Sequence, residues 1–102
     1  MPSRIDLQNE LENILGNRNV YFQPPASVRM KYPCIRYSRN VDHVARANDR
    51  IYNTTRCYTV IVIDPDPDSV IPDAILARFP MCSMSNPYTA DNLNHFPLTL
   101  YY

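Results

Sequence analysis

"YTVIVIDPDPDSVIPDAIL" runs from Tyr58 to Leu76, and its reading decides the fold. An apolar run reaches Ile63 and then meets Asp64, Asp66 and Asp68, alternating with Pro65 and Pro67. β-Branched and aromatic residues favour strands. Positions 60 to 63 are all apolar, which suits a central strand covered on both faces. Proline cannot donate to a ladder, so Pro65 and Pro67 end that strand. Asp68 or Ser69 then caps a helix that carries Pro72 in its first turn, and Asp73 complements the helix dipole. Read as a calcium loop, the stretch puts Ser69 where glycine is required and Ile75 where the bidentate glutamate belongs. As general acids, the three aspartates lack a histidine or lysine partner nearby in sequence. The stretch reads as a strand-to-helix junction that holds no metal.

Working outward, Ile71, Ile75, Leu76 and Phe79 give the helix an apolar face, and Pro80 ends it. "MCSMS" (81–85) reads as a strand, "NPYTADNLN" (86–94) as a polar loop, and "HFPLTLYY" (95–102) as a last strand. Phe96, Leu98, Leu100 and Tyr102 share one face of that strand, and Pro97 favours an edge position. Upstream, Ser3 and Asp6 form a capping box. Leu7, Leu11, Ile14 and Leu15 recur at helical spacing until Gly16 stops the run. "NVYFQPP" (19–25) is a short strand ended by its prolines, and "CIRYS" (34–38) alternates as a half-buried strand does. Cys34 to Ile63 then forms one long antiparallel hairpin with the charged segment Asn40–Arg50 at its tip. The expected fold is α+β: a single domain over 1–102, with a small antiparallel or mixed sheet, a long β-hairpin and two helices packed on one face.

A chain of 102 residues supports one core. Ten basic and ten acidic residues cancel, so no global charge draws the chain to nucleic acid or anionic lipid. Lys31 is the sole lysine beside nine arginines, and there are eight tyrosines. Arginine and tyrosine are the residues that interfaces favour. Arg36, Arg39, Arg46, Arg50 and Arg56 fall on the hairpin, where they are either a solvated ribbon or a surface for acidic neighbours. Cys34, Cys57 and Cys82 are odd in number and show no C-x-x-C spacing. The first residues lack the apolar core of a signal peptide, and no run is long enough to span a membrane. The thiols therefore read as reduced, mostly buried side chains of a cytoplasmic product, and the sequon at Asn53 as a chance match.

Catalytic chemistry has few candidates. His43–Cys34 or His95–Cys82 could form a thiol pair, and Asp64 with His43 or His95 is the one acid–base pair a hydrolase could use. A lone surface histidine is the simpler reading of each. With Gly16 the only glycine, no phosphate-cradling loop exists. A nucleic-acid-binding module would rest on the arginine hairpin alone. The residues point to no enzyme, no cofactor and no metal.

"VYFQPPASVRMKYPCIRYS" (20–38), "RCYTVIVIDPDPDSVIPDAI" (56–75) and "YTADNLNHFPLTLYY" (88–102) together resemble small neck or tail-completion proteins of long-tailed bacteriophages. The resemblance runs over most of the chain from Val20 to Tyr102 and consists of landmarks rather than a catalytic motif. It implies an α+β subunit of a tail-terminator kind, without enzymatic activity or cofactor. Such subunits form a hexameric ring that ends tail-tube polymerisation and meets the head connector. The implied partners are further copies of the chain, the tail tube protein and the head-completion proteins. Genomic DNA would pass through the ring without sequence-specific binding, and no membrane is involved. The implied location is the virion neck or tail, after assembly in the host cytoplasm. A head-closure protein or another neck component fits the same landmarks.

Overall fold

A computed structural model describes residues 4–40, 46–47, 50–51 and 56–102. Along the chain lie α1 (Arg4–Leu15), β1 (Val20–Phe22), β2 (Cys34–Arg39), β3 (Arg46–Ala47), β4 (Arg50–Ile51) and β5 (Cys57–Asp64). They are followed by α2 (Ile71–Arg78), β6 (Cys82–Met84), β7 (Tyr88–Ala90) and β8 (Leu93–Tyr101). The main sheet runs β1-β2-β5-β8-β6, with β7 also paired to β8, and β3 pairs β4 separately. The class is α+β. The sheet is mixed, because β1 runs parallel to β2 while the other pairs are antiparallel.

α1 forms because Leu7, Leu11 and Leu15 recur every fourth residue and are buried as one stripe. Gly16 ends it at φ +84°, with its N–H donating to the Glu12 carbonyl at 2.9 Å. That left-handed conformation is the usual role of glycine just past a helix. Ser3, the expected cap, lies outside the described residues. Polar side chains fix α1 to the sheet: the Tyr37 hydroxyl donates to Gln8, and Gln8 Nε2 donates to the Val20 carbonyl at 3.0 Å. The Arg4 guanidinium lies 4.4 Å from the Phe22 ring centroid and donates to the Tyr37 hydroxyl at 3.2 Å. An ion pair between Arg78 and Glu10 ties α2 to α1.

Strand periodicity then divides the sheet into unlike faces. Register places Ile35, Tyr37, Tyr58, Val60, Val62, Phe96, Leu98 and Leu100 on one side. These residues form the core with Leu7, Leu11, Ile75 and Phe79 from the helices. The opposite side carries Arg36, Ile61, Pro97, Thr59 and Thr99 in its middle, of which Arg36 is exposed and the rest half-buried, while Cys34 and Ile63 at one end and Cys57 at the other are buried. Ile61 therefore does not pack under the helices, although it stands in the central strand. Both helices lie on the other side, so Val60 and Val62 face the core beneath them, whereas Ile61 and Ile63 face away, Ile61 half-buried and Ile63 buried.

Two expectations for the last third of the chain are overturned. Pro97 does not mark an edge: β8 is paired with β5 on one side and with β6 and β7 on the other. The Pro97 carbonyl accepts from the Ser85 N–H at 2.9 Å, so its nitrogen faces the same way, opposite the break between β6 and β7. No ladder donor is needed there. The segment 86–94 is not a loop either. Tyr88–Ala90 pairs with Leu93–His95 as a hairpin closed by Asp91 and Asn92, at φ +53° and +62°. Two successive left-handed residues make a type I′ turn, a conformation that Asp and Asn tolerate.

Candidate interaction site

The hairpin is the feature on which the arginines converge in sequence. β2 pairs β5 from Cys34–Ile63 to Arg39–Tyr58, and the pairs Arg46–Ile51 and Ala47–Arg50 keep that register. The two described ladders therefore share one register, although β3 and β4 form a sheet of their own. Period-two alternation separates the arginines. Arg36 stands on the open face opposite Ile61, whereas Arg39, opposite Tyr58, shares the helix side with Arg56. Arg56 and Tyr102 exchange backbone hydrogen bonds at 3.0 and 2.9 Å, which fixes Arg56 beside the end of β8. Arg39 and Arg56 are diagonal neighbours at one end of the sheet, and both are exposed. Arg46 and Arg50 hold register positions in β3 and β4; their side chains lie outside the described residues. One arginine therefore serves the open face and a pair serves the sheet end.

At the other end of β5 the aspartates act on the backbone. The Asp64 carboxylate accepts from the Asp66 N–H, and the Asp66 carboxylate from the Asp68 N–H, each at 2.9 Å. These are successive Asx turns, in which a short acidic side chain stands in for a backbone acceptor. Asn94 Nδ2 donates to the carbonyls of Asp64 and Pro65 at 3.2 and 3.1 Å, pinning the junction to β8. The cap is neither Asp68 nor Ser69: the helix starts later, with Val70 as the cap residue and no side-chain cap. Ser69 Oγ still accepts from the Ile71 N–H at 3.3 Å. Among the described residues no three acidic, histidine or cysteine side chains are grouped as metal ligands. Calorimetric titration with calcium, magnesium or manganese should give no site-specific heat. A stoichiometric isotherm that Asp66→Asn abolishes would overturn the turn assignment.

The catalytic candidates come apart in space. Asp64 pairs with Asn94 while His95 pairs with Ile63, so Asp64 and His95 project to opposite faces. Cys82 sits opposite Leu100, five positions along β8 from His95, roughly 16 Å away at strand rise. His95 instead stacks on Tyr88 with ring centroids 4.8 Å apart, and its Nδ1–H donates to the Leu93 carbonyl at 3.1 Å. His43 lies outside the described residues.

The three cysteines are free thiols, with Cys34 and Cys57 buried and Cys82 half-buried. Burial pushes the Cys34 thiol up to about 11, against an opposing pull from Arg36, and burial alone pushes Cys82 up to about 11. Neither thiol is activated as a nucleophile. The shifts have a stability consequence. Unfolded thiols release protons from about 9.0 upward while the folded ones keep theirs to about 11. The folded state then binds more protons, so the stabilisation present below pH 9 is lost as the pH rises toward 11. Burial raises Tyr37 as well, with the same sign. The thermal midpoint should fall between pH 8.5 and pH 10.5, and Cys34→Ala should flatten that fall.

Comparison with family models, curated proteins and solved structures gives no match.

Proposed function

We propose that the chain is a structural virion protein of a long-tailed bacteriophage, working in the neck or tail. It would form a ring, hexameric as in the tail terminators it resembles, that closes the tail tube and meets the head connector. The observation that carries this reading is the register shared by the two ladders, which holds Arg36, Arg39, Arg46 and Arg50 in paired strands with Arg56 just ahead of β5. Arginines on an extended ribbon suit bidentate contact with carboxylates of a neighbouring subunit. The open sheet face adds support. Ile61, Pro97, Tyr21 and Tyr101 are only half-buried there, so apolar area remains for a neighbour to cover.

Purified particles provide the test. An antibody or gold label against this chain should mark the head–tail junction, in a stoichiometry matching a hexameric ring. Particles assembled without the chain should show tails of uncontrolled length if it terminates the tube. Normal tails that fail to join heads would identify another neck component. Intact particles lacking the chain would overturn the proposal.

A further inference from the structure

The outer edge of β6 is an uncapped strand. Residues 81, 83 and 85 face β8: Tyr101 N–H donates to the Met81 carbonyl, and Ser85 N–H to the Pro97 carbonyl, each at 2.9 Å. Ser83 lies opposite Thr99 between them. Alternation turns the N–H and C=O groups of Cys82 and Met84 outward, away from the sheet. Among the described residues none of those four groups meets a hydrogen-bond partner. Natural edges are usually guarded by charge, proline or a covering element. Here "MCSMSN" (81–86) contains neither charge nor proline, and Met81 and Met84 are 49% and 41% exposed. Both edge strands are three residues long and bounded by proline, β6 by Pro80 and Pro87 and β1 by Pro24–Pro25; the other edge differs in that its Val20 carbonyl is taken by Gln8.

We propose that the free chain self-associates by antiparallel pairing of β6 with β6 of a second copy, about a two-fold axis through Ser83. The edge is self-complementary in that register. Cys82 faces the partner's Met84, and Met84 faces the partner's Cys82. Each of these pairs exchanges two backbone hydrogen bonds, so all four outward groups of each copy are satisfied. Ser83 meets the partner's Ser83 on the open face, where a non-hydrogen-bonded pair brings side chains closest. Met81 meets the partner's Ser85 at the rim of a shallow hollow of about 360 Å³, lined by Pro80, Met81, Cys82, Ser83, Thr99 and Tyr101. The two sheets become one, with the helices of both copies on the same side. An uncharged edge opposes an uncharged edge, so no like-charge contact resists the pairing. The contact is small against the roughly 1,200 Å² that stable interfaces bury, which makes the dimer weak. None of the hairpin arginines takes part, and the pairing does not rest on the ring proposal.

Sedimentation velocity across a concentration series of the full chain tests this. Monomer should convert to dimer within that range. Ser83→Lys puts two like charges face to face on the axis and should weaken association at least about tenfold. Met84→Pro removes an outward N–H without touching the bonds to β8 and should do the same. Ser83→Cys under oxidised glutathione should give a covalent dimer through that position, which remains informative if the proline variant fails to fold. Alanine at both Arg46 and Arg50 should leave the dimer unchanged. A wild-type chain monomeric at about 1 mM, or a dimer indifferent to Ser83→Lys and uncrosslinked by Ser83→Cys, would overturn the proposal.

Discussion

Leu98→Ala should lower the unfolding free energy by about 2–5 kcal/mol, whereas Ile61→Ala should cost only about 1 kcal/mol. Both residues are branched aliphatics in the two central strands, and local sequence does not distinguish their surroundings. The sheet does. Leu98 is 1% exposed, pairs with Val60 and Met84, and belongs to the core beneath the helices. Removing its side chain leaves a cavity that two helices anchored elsewhere cannot fill. Ile61 lies on the open side, between Arg36 and Pro97, where the site can relax toward solvent. A domain of this size has a total stability of roughly 5–15 kcal/mol, so the Leu98 variant forfeits a large part of it. Urea denaturation of both variants measures the contrast. Equal losses would mean that the two faces of the sheet are covered alike, which the core assignment forbids.

That contrast marks how far the chain could be read before its structure. α1 was legible because three leucines on one stripe and a terminating glycine are local signals, and no distant partner is needed to interpret them. The alternation in β8 was legible for the same reason. Ile61 was not, because four apolar residues in a row say only that a strand is central; which face the helices cover is a tertiary fact. Pro97 misled because the local rule concerns a lost donor. Here the strand's neighbour changes from β6 to β7 opposite that nitrogen, and no donor is missed. β7 did leave a signal, in Asp91 and Asn92, two residues suited to consecutive left-handed conformations between pairing segments. The parallel direction of β1 left none. Among the arginines, proximity in sequence suggested one cluster, and period-two alternation split Arg36 from Arg39 and Arg56. The acidic junction after β5 was legible as punctuation, since proline and aspartate carry turn chemistry in their own side chains.

If the chain works in a phage neck as proposed, replacing Arg46 and Arg50 together with alanine should leave it folded yet weaken ring formation or the joining of heads and tails. Both positions fall in the ribbon β3–β4, which pairs with itself and stands apart from the six-stranded sheet. Substitutions away from a core usually change stability by no more than about 0.5 kcal/mol, so unfolding midpoints should match the parent. A two-stranded ribbon is marginal in water on its own, and a ribbon with two arginines gains little by remaining solvated. Against a neighbouring subunit the same guanidiniums can form bidentate pairs with carboxylates, and removing them strands those carboxylates without partners. The loss should therefore appear in assembly and not in folding. Complementation of a phage that lacks the gene, scored by electron microscopy for separate heads and tails, gives the readout. Wild-type yields of intact virions from the folded double variant would show that the ribbon is only solvated. Lysine at both positions separates charge from geometry. It restores the positive charge without the planar fork, so partial rescue at low salt that fades as salt rises would assign the contact to charge. No rescue at any salt would assign it to the bidentate geometry that only arginine supplies.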